Sequence, residues 1–202
     1  VWLNEKNTKL NRLLQAAIFC PHVVSIVSIS LIWLWMMEPN FGLFNYLLRK
    51  MGLPTSAWLS GSSTAMPSVI LVSVWKSVGY DTLIFLAALQ GVSASLYEAA
   101  RMDSANKVAV FFKITLPMIS PQLFFTLIIR TISSFKVFDT VRILTQGGPN
   151  NATTTLVYSI YTEALLNLRI GYSAAIGVIL LIIISILTII YFWGFSRKVH
   201  YQ

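Results

Sequence analysis

Four long apolar segments dominate the pattern of this chain, and polar intervals separate them. The segments cover residues 13–37, 65–89, 121–143 and 173–195. A helix needs roughly 20 apolar residues to cross a hydrocarbon core about 30 Å thick. Residues 176–184 read Ile-Gly-Val-Ile-Leu-Leu-Ile-Ile-Ile, without the alternation that a barrel strand requires. The pattern therefore predicts an all-α membrane protein, a transmembrane helical bundle with four spans in a single domain over residues 1–202.

Composition and charge point the same way. With 56% hydrophobic residues, 11% charged residues and a mean hydropathy of +0.71, the chain has too little polar surface for a water-soluble globule. The chain has 15 lysines and arginines and 7 acidic residues, which gives a net charge of +8. The basic residues are concentrated near both ends and between the second and third segments. Short cytoplasmic loops carry this excess, so we expect that interval and both termini to be cytoplasmic. No basic run has interleaved aromatics, so no nucleic-acid partner is expected.

Charged residues inside the apolar segments are the first candidates for function. The second segment contains Lys76 and Asp81, and the third contains Arg130, Lys136 and Asp139. A charge near the bilayer centre costs roughly 2.5–3.5 kcal/mol on insertion scales, so such residues face a bundle interior, a partner or a water-filled path. We expect Arg130, Lys76 and Asp81 to line a solute path. The alternatives are an ion pair or backbone hydrogen bond for Arg130, and mutual pairing of Lys136 with Asp139.

Two local patterns refine the helices. Pro21 lies in the first segment and lacks a backbone donor, so the regular helix either starts there or is kinked. Residues 41–53 have apolar positions at close to helical spacing, which predicts a short amphipathic helix at the membrane surface.

The polar interval of residues 91–120 predicts two short helices at the membrane face. Ser95 and Glu98 have the spacing of a capping box, which places a helix start at Ser95. A second helix is expected after Asn106 and should end at Leu116-Pro117. Its predicted apolar stripe comprises Val108, Phe111, Phe112 and Thr115.

The same interval carries a motif. Glu98-Ala99-Ala100 is followed after two residues by Asp103-Ser104-Ala105, and later by Ile114-Thr115-Leu116-Pro117. This order resembles the signature of permease subunits of binding-protein-dependent ABC (ATP-binding-cassette) importers. The segment from Gly147-Gly148-Pro149 to Leu156 is similar to their carbohydrate-uptake branch, the maltose and glycerol-3-phosphate permeases. Such permeases usually have six helices, with the signature between the fourth and fifth. The resemblance therefore implies a type I importer bundle, here without about two N-terminal helices.

In that family the signature loop docks in a cleft of a cytoplasmic ATPase. The resemblance implies that Glu98 contacts the ATPase and that Ala99 and Ala100 pack into the cleft. The alternative is that Glu98 only caps its helix. The family usually has glycine where Ser104 stands, and serine adopts positive φ less readily. The full set of residues with an implied coupling role is Glu98, Ala99, Ala100, Asp103, Ser104, Ala105, Ile114, Leu116 and Pro117.

The sequence is therefore identified as a permease subunit of an ATP-driven importer for a sugar or a related polar solute, in the bacterial inner membrane. The implied partners are an ATPase, a second permease subunit and an external solute-binding protein. No Gly-x-x-x-x-Gly-Lys-Ser/Thr motif occurs, so ATP is expected on the ATPase, with no cofactor in this chain. No catalytic or metal cluster is visible, so we expect no enzyme. The alternative is an ion-gradient-driven secondary transporter that uses Arg130, Lys76 and Asp81.

Overall fold

The computed structural model describes residues 9–195, and these residues form helices without any strand. Side chains at the two ends, which carry part of the predicted cytoplasmic charge, lie outside the described residues. The all-α prediction is confirmed. The helices are α1 Lys9–Val23, α2 Ile26–Met36, α3 Leu43–Lys50, α4 Ala65–Gln90, α5 Ala94–Met102, α6 Lys107–Met118, α7 Ser120–Phe135, α8 Asp139–Leu144, α9 Leu156–Leu166 and α10 Ile170–Phe195.

Two of the four predicted spans are continuous helices, and the other two are broken. Within the described residues, α4 and α10 are each long and apolar enough to cross a membrane. The first predicted span divides into α1 and α2, which are separated by residues 24 and 25. The third predicted span divides into α7 and α8, because Phe138 leaves helical geometry with φ −130° and ψ −61°. The segment predicted over residues 121–143 is thus present as two successive helices.

Pro21 produces a kink at the end of α1. It lies in the last turn of that helix, which ends at Val23, and α2 begins at Ile26. A proline inside a helix removes one backbone donor and crowds the preceding turn, so helices usually bend or stop close to it. Of the two possibilities for Pro21, a helix start or a kink, the structure shows the kink.

The described residues fall into two compact units. The first comprises the described parts of Val1–Cys20, Val78–Thr131 and Ser185–Gln202, and the second comprises Pro21–Ser77 and Ile132–Ile184. The core of the second unit is formed by side chains from α2, α4 and α8 and the loop before α4. Its buried members are Ile29, Trp33, Met37, Leu59, Val69, Val72, Val141 and Leu144.

The amphipathic helix expected over residues 41–53 is present as α3. A single buried side chain ties it to the loop before α4. The Asn45 amide donates to the carbonyls of Pro39 and Ser56, both at 2.8 Å, and its oxygen accepts from Ser56 N at 3.0 Å and Trp58 Nε1 at 2.8 Å. Asn45 is 1% exposed. Its amide therefore makes all four hydrogen bonds that it commonly can.

The segment that begins with Gly147 is ordered by its threonines. Gly147 has φ +81°, and a β-carbon there would lie 2.8 Å from the Tyr158 ring. Thr153 is fully buried and donates to the Gly148 carbonyl at 2.9 Å. Thr155 caps α9 by accepting from Tyr158 N, and it donates to the Val137 carbonyl at 2.9 Å. The motif residues therefore close this loop and attach it beside the break between α7 and α8.

The first unit contains a close approach of two backbones. A β-carbon at Gly79 of α4 would overlap the Ile18 carbonyl oxygen of α1 and lie 3.0 Å from Phe19 Cα. Only glycine leaves room for this contact, which is the usual role of small residues between membrane helices. In the same unit, Phe124 of α7 and Phe192 of α10 pack edge to face at 5.5 Å.

Candidate functional site

The signature residues lie on α5 and on the turn that follows it. The helix begins two residues earlier than the capping box predicted, because its N-cap is Ser93. No side-chain capping bond forms there, and the Ser93 and Ser95 hydroxyls contact each other at 2.8 Å. The predicted capping box between Ser95 and Glu98 is therefore wrong. Glu98 is exposed on the helix surface.

The turn after α5 is a Schellman motif. Ala105 N donates to the Ala100 carbonyl at 3.0 Å, and Ser104 N donates to the Arg101 carbonyl at 3.0 Å. These are the two bonds that define this helix ending, in which the residue after the C-cap is left-handed. That residue is Ser104, with φ +51°, and the C-cap is Asp103. The position where the family usually has glycine therefore does require positive φ.

The exposure of each side chain of α5 determines whether a partner protein can contact it. Ala100 is 6% exposed and lies inside the chain's own packing, so it does not project from the surface as expected. Met102 is 86% exposed, although it is not one of the motif residues expected to contact the ATPase. Its spacing of four residues from Glu98 could have revealed it, because residues four apart share a helix face. The exposed residues of this face are Ser95, Glu98, Ala99 and Met102.

The second short helix forms as expected but does not end where predicted. Asn106 caps α6 by accepting from Val108 N at 3.3 Å. The helix widens into a π turn over Phe111–Thr115 and continues to Met118, so Leu116-Pro117 does not end it. Ile114, Leu116 and Pro117 are half-buried. Within the predicted stripe, Thr115 is buried and contacts the Tyr97 hydroxyl at 3.2 Å, whereas Val108 and Phe112 are about 60% exposed.

Two of the three candidate path residues form an ion pair. Arg130 of α7 contacts Asp81 Oδ1 through both Nε and Nη2, each at 2.7 Å. The two side chains are 32% and 22% exposed, and the guanidinium lies 5.5 Å from the centre of the Tyr80 ring. The interhelical ion pair that we considered as an alternative for Arg130 is therefore present. No ion pair joins Lys136 to Asp139 within residues 9–195, and both are exposed.

The third candidate, Lys76, contacts backbone. Its ammonium group donates to the carbonyls of Pro21 at 3.2 Å, His22 at 3.3 Å and Val24 at 2.7 Å. These carbonyls lie at the break between α1 and α2. The residues 9–195 contain no group of three or more His, Cys, Asp or Glu side chains placed to hold a metal ion.

Membrane-length helices with an exposed two-helix segment between them define a class, the multi-pass helical membrane protein. Residues 1–200 match the family described as binding-protein-dependent transport system inner membrane component. The chain belongs to this family, and it is a multi-pass protein of the inner membrane. The resemblance carried by the signature residues is thereby confirmed.

Named relatives agree with this assignment. The chain is 41% identical over 197 residues to the sn-glycerol-3-phosphate transport system permease protein UgpA of Yersinia pestis bv. Antiqua (strain Antiqua), in a match that covers 95% of this chain and 65% of the relative. The protein of the same name from Brucella suis biovar 1 (strain 1330) is 38% identical over 183 residues, with 90% and 62% covered. The chain thus spans less than two thirds of the length of these relatives.

A solved structure shares the fold. The crystal structure of a bacterial ABC transporter involved in the import of the acidic polysaccharide alginate contains a chain that superposes with a TM-score of 0.87. The two sequences are 26% identical, and the match covers 97% of this chain and 69% of that chain. The expected type I importer permease fold is therefore confirmed.

Proposed function

We propose that this chain is the permease subunit of an ATP-driven importer and forms part of the path for a sugar or a related polar solute. The relatives' names support this proposal, since they refer to transport of sn-glycerol-3-phosphate and import of alginate. The observation that carries it is the exposed helix α5, closed by the Schellman turn at Ser104. The permease itself does no chemistry and holds no cofactor, and ATP binds to the partner ATPase.

The exposed face of α5 is the proposed contact with the cytoplasmic ATPase. Met102 supplies a flexible apolar side chain at the C-terminal end of this face, and such side chains adapt well to a cleft. Glu98 supplies a charge in the middle of the face, and Ala99 beside it lets the partner surface approach closely. Asp103, Ser104 and Ala105 hold the end of the helix, while Ala100 supports it from inside.

The proposed solute path includes Asp81 and Arg130. Their ion pair places hydrogen-bonding groups between α4 and α7, where a hydroxyl-rich solute can exchange contacts with them. Solute would pass by alternating access, in which packed helices move as rigid bodies. A second permease subunit completes the path, and an external binding protein delivers the solute. Arg101, Lys107 and Lys113 favour a cytoplasmic position for the α5–α6 segment, and hence for both ends of the chain.

Co-purification with the candidate ATPase from detergent extracts tests the coupling surface. The variants Met102→Glu and Glu98→Lys should each reduce recovered ATPase about tenfold or more, because a difference of about 1.4 kcal/mol in binding corresponds to tenfold in affinity. Met51→Glu is the matched control, since Met51 is 72% exposed in a different segment. Membrane insertion of each variant is checked in parallel.

The outcomes separate the alternatives. Equal recovery of ATPase from all four proteins would show that α5 is not the docking surface. Absence of ATPase even from the wild type would contradict the proposed coupling. An ion-gradient-driven transporter would need a relay of ionisable groups, whereas Arg130 and Asp81 contact each other and Lys76 contacts carbonyls.

A further inference from the structure

The break between α1 and α2 exposes backbone carbonyls in an apolar part of the chain. The last four carbonyls of a helix have no donor within it, and α1 ends at Val23 only three residues before α2 begins. Pro21 contributes no backbone donor of its own. Lipid offers no water to satisfy these carbonyls, so they need partners from the protein.

Lys76 of α4 supplies those partners. Its ammonium group has three N–H donors, and three carbonyls lie within hydrogen-bonding distance of its nitrogen, those of Pro21, His22 and Val24. A positive charge at the C-terminal end of a helix is also favoured by the helix dipole. The ammonium thus supplies one donor for each of the three carbonyls, and its positive charge lies at the C-terminal end of α1.

We propose that Lys76 is a positioning residue that holds the break between α1 and α2 through its three carbonyl contacts, and that it is not a ligand of the solute. The consequence reaches the core of the second unit, because α2 carries Ile29 and Trp33 into it. Trp33 packs on Trp75, the neighbour of Lys76 in α4, at 5.3 Å. While Lys76 holds the carbonyls at the break, α2 keeps its position against the part of α4 that carries Trp75 and Lys76. Without these hydrogen bonds the break would act as a hinge.

Distance measurements between spin labels test this directly on the full-length subunit in lipid nanodiscs. Cys20, the single cysteine of the chain, is replaced by serine, and cysteines are introduced at Leu13 and Leu31, which are 68% and 55% exposed. Lys76→Met should broaden the distance distribution by about twofold or shift its maximum, because the break then behaves as a hinge. Lys76→Arg keeps the charge and the donors and should restore most of the native distribution.

Lys136→Met is the matched control, since Lys136 is an exposed lysine at a different helix break. It should leave the distance between α1 and α2 unchanged. An unchanged distribution in Lys76→Met would overturn the proposal. If that variant does not accumulate in the membrane, Lys76→Gln decides in its place, because its shorter, neutral side chain cannot reach all three carbonyls.

The measurement needs neither ATPase nor solute, so its failure is distinct from failure of the proposed function. In transport assays, a positioning role predicts a lower maximal rate in Lys76→Met at an unchanged half-saturating solute concentration. A raised half-saturating concentration with the native distance distribution would instead make Lys76 a solute ligand and would also overturn the proposal.

Discussion

Removing either charge of the ion pair between Arg130 and Asp81 should destabilise the folded subunit. Asp81→Asn keeps the shape of the side chain and removes its charge, which leaves the Arg130 guanidinium without its carboxylate. Arg130→Gln removes the other partner. The double variant removes both charges at once, so it shows whether the pair acts as a unit.

The burial of the Asp81 and Arg130 side chains determines how much free energy of unfolding is lost when one charge is removed. Fully exposed pairs are worth about 0.2–1 kcal/mol, whereas removing one partner of a buried pair costs about 3–5 kcal/mol. Asp81 and Arg130 are 22% and 32% exposed, with two contacts of 2.7 Å to one oxygen, and so lie between these limits. We expect each single variant to lower the free energy of unfolding by about 2 kcal/mol. The double variant should recover at least half of the summed loss.

The assay is unfolding of the purified subunit in mixed micelles with increasing SDS, followed by helical circular dichroism. Glu163 and Arg169 provide a control pair, because Arg169 is 61% exposed and its contact with the carboxylate is longer, at 3.4 Å. The coupling energy of that pair should stay below about 1 kcal/mol. A coupling energy for Asp81 and Arg130 below about 0.5 kcal/mol would refute the view that these charges stabilise each other in the membrane.

Two further predictions concern local structure and use the same unfolding assay. Ser104→Gly should raise the free energy of unfolding by about 1 kcal/mol, since a left-handed residue other than glycine costs about 1–2 kcal/mol; an unchanged or lower value would contradict the assigned turn. Asn45→Ala should lower it by about 3 kcal/mol, because four hydrogen bonds are lost and their partly buried partners are left unsatisfied. A loss below about 1 kcal/mol would mean that water replaces the Asn45 amide.

Features of this protein that depend on composition and on neighbouring residues could be predicted from the amino-acid sequence alone. The apolar runs of α4 and α10 predict helices because a chain in lipid must satisfy its own backbone. Asn106 caps the helix that directly follows it, and Pro21 kinks the helix that contains it. The motif from Glu98 to Pro117 identified the family, because it is defined by residue types at fixed spacings and these can be read from the sequence.

Whether one of these residues faces a partner or packs inside depends on contacts between elements that are distant in sequence. Ala100 and Met102 lie in the same short helix, and only the contacts around it bury the first and expose the second. Arg130 meets Asp81 across 49 positions of sequence, and Lys76 reaches the Val24 carbonyl across 52. Periodicity carries no information about such pairings, because they depend on how helices pack. An intramembrane charge must find a partner, and the fold selects which one.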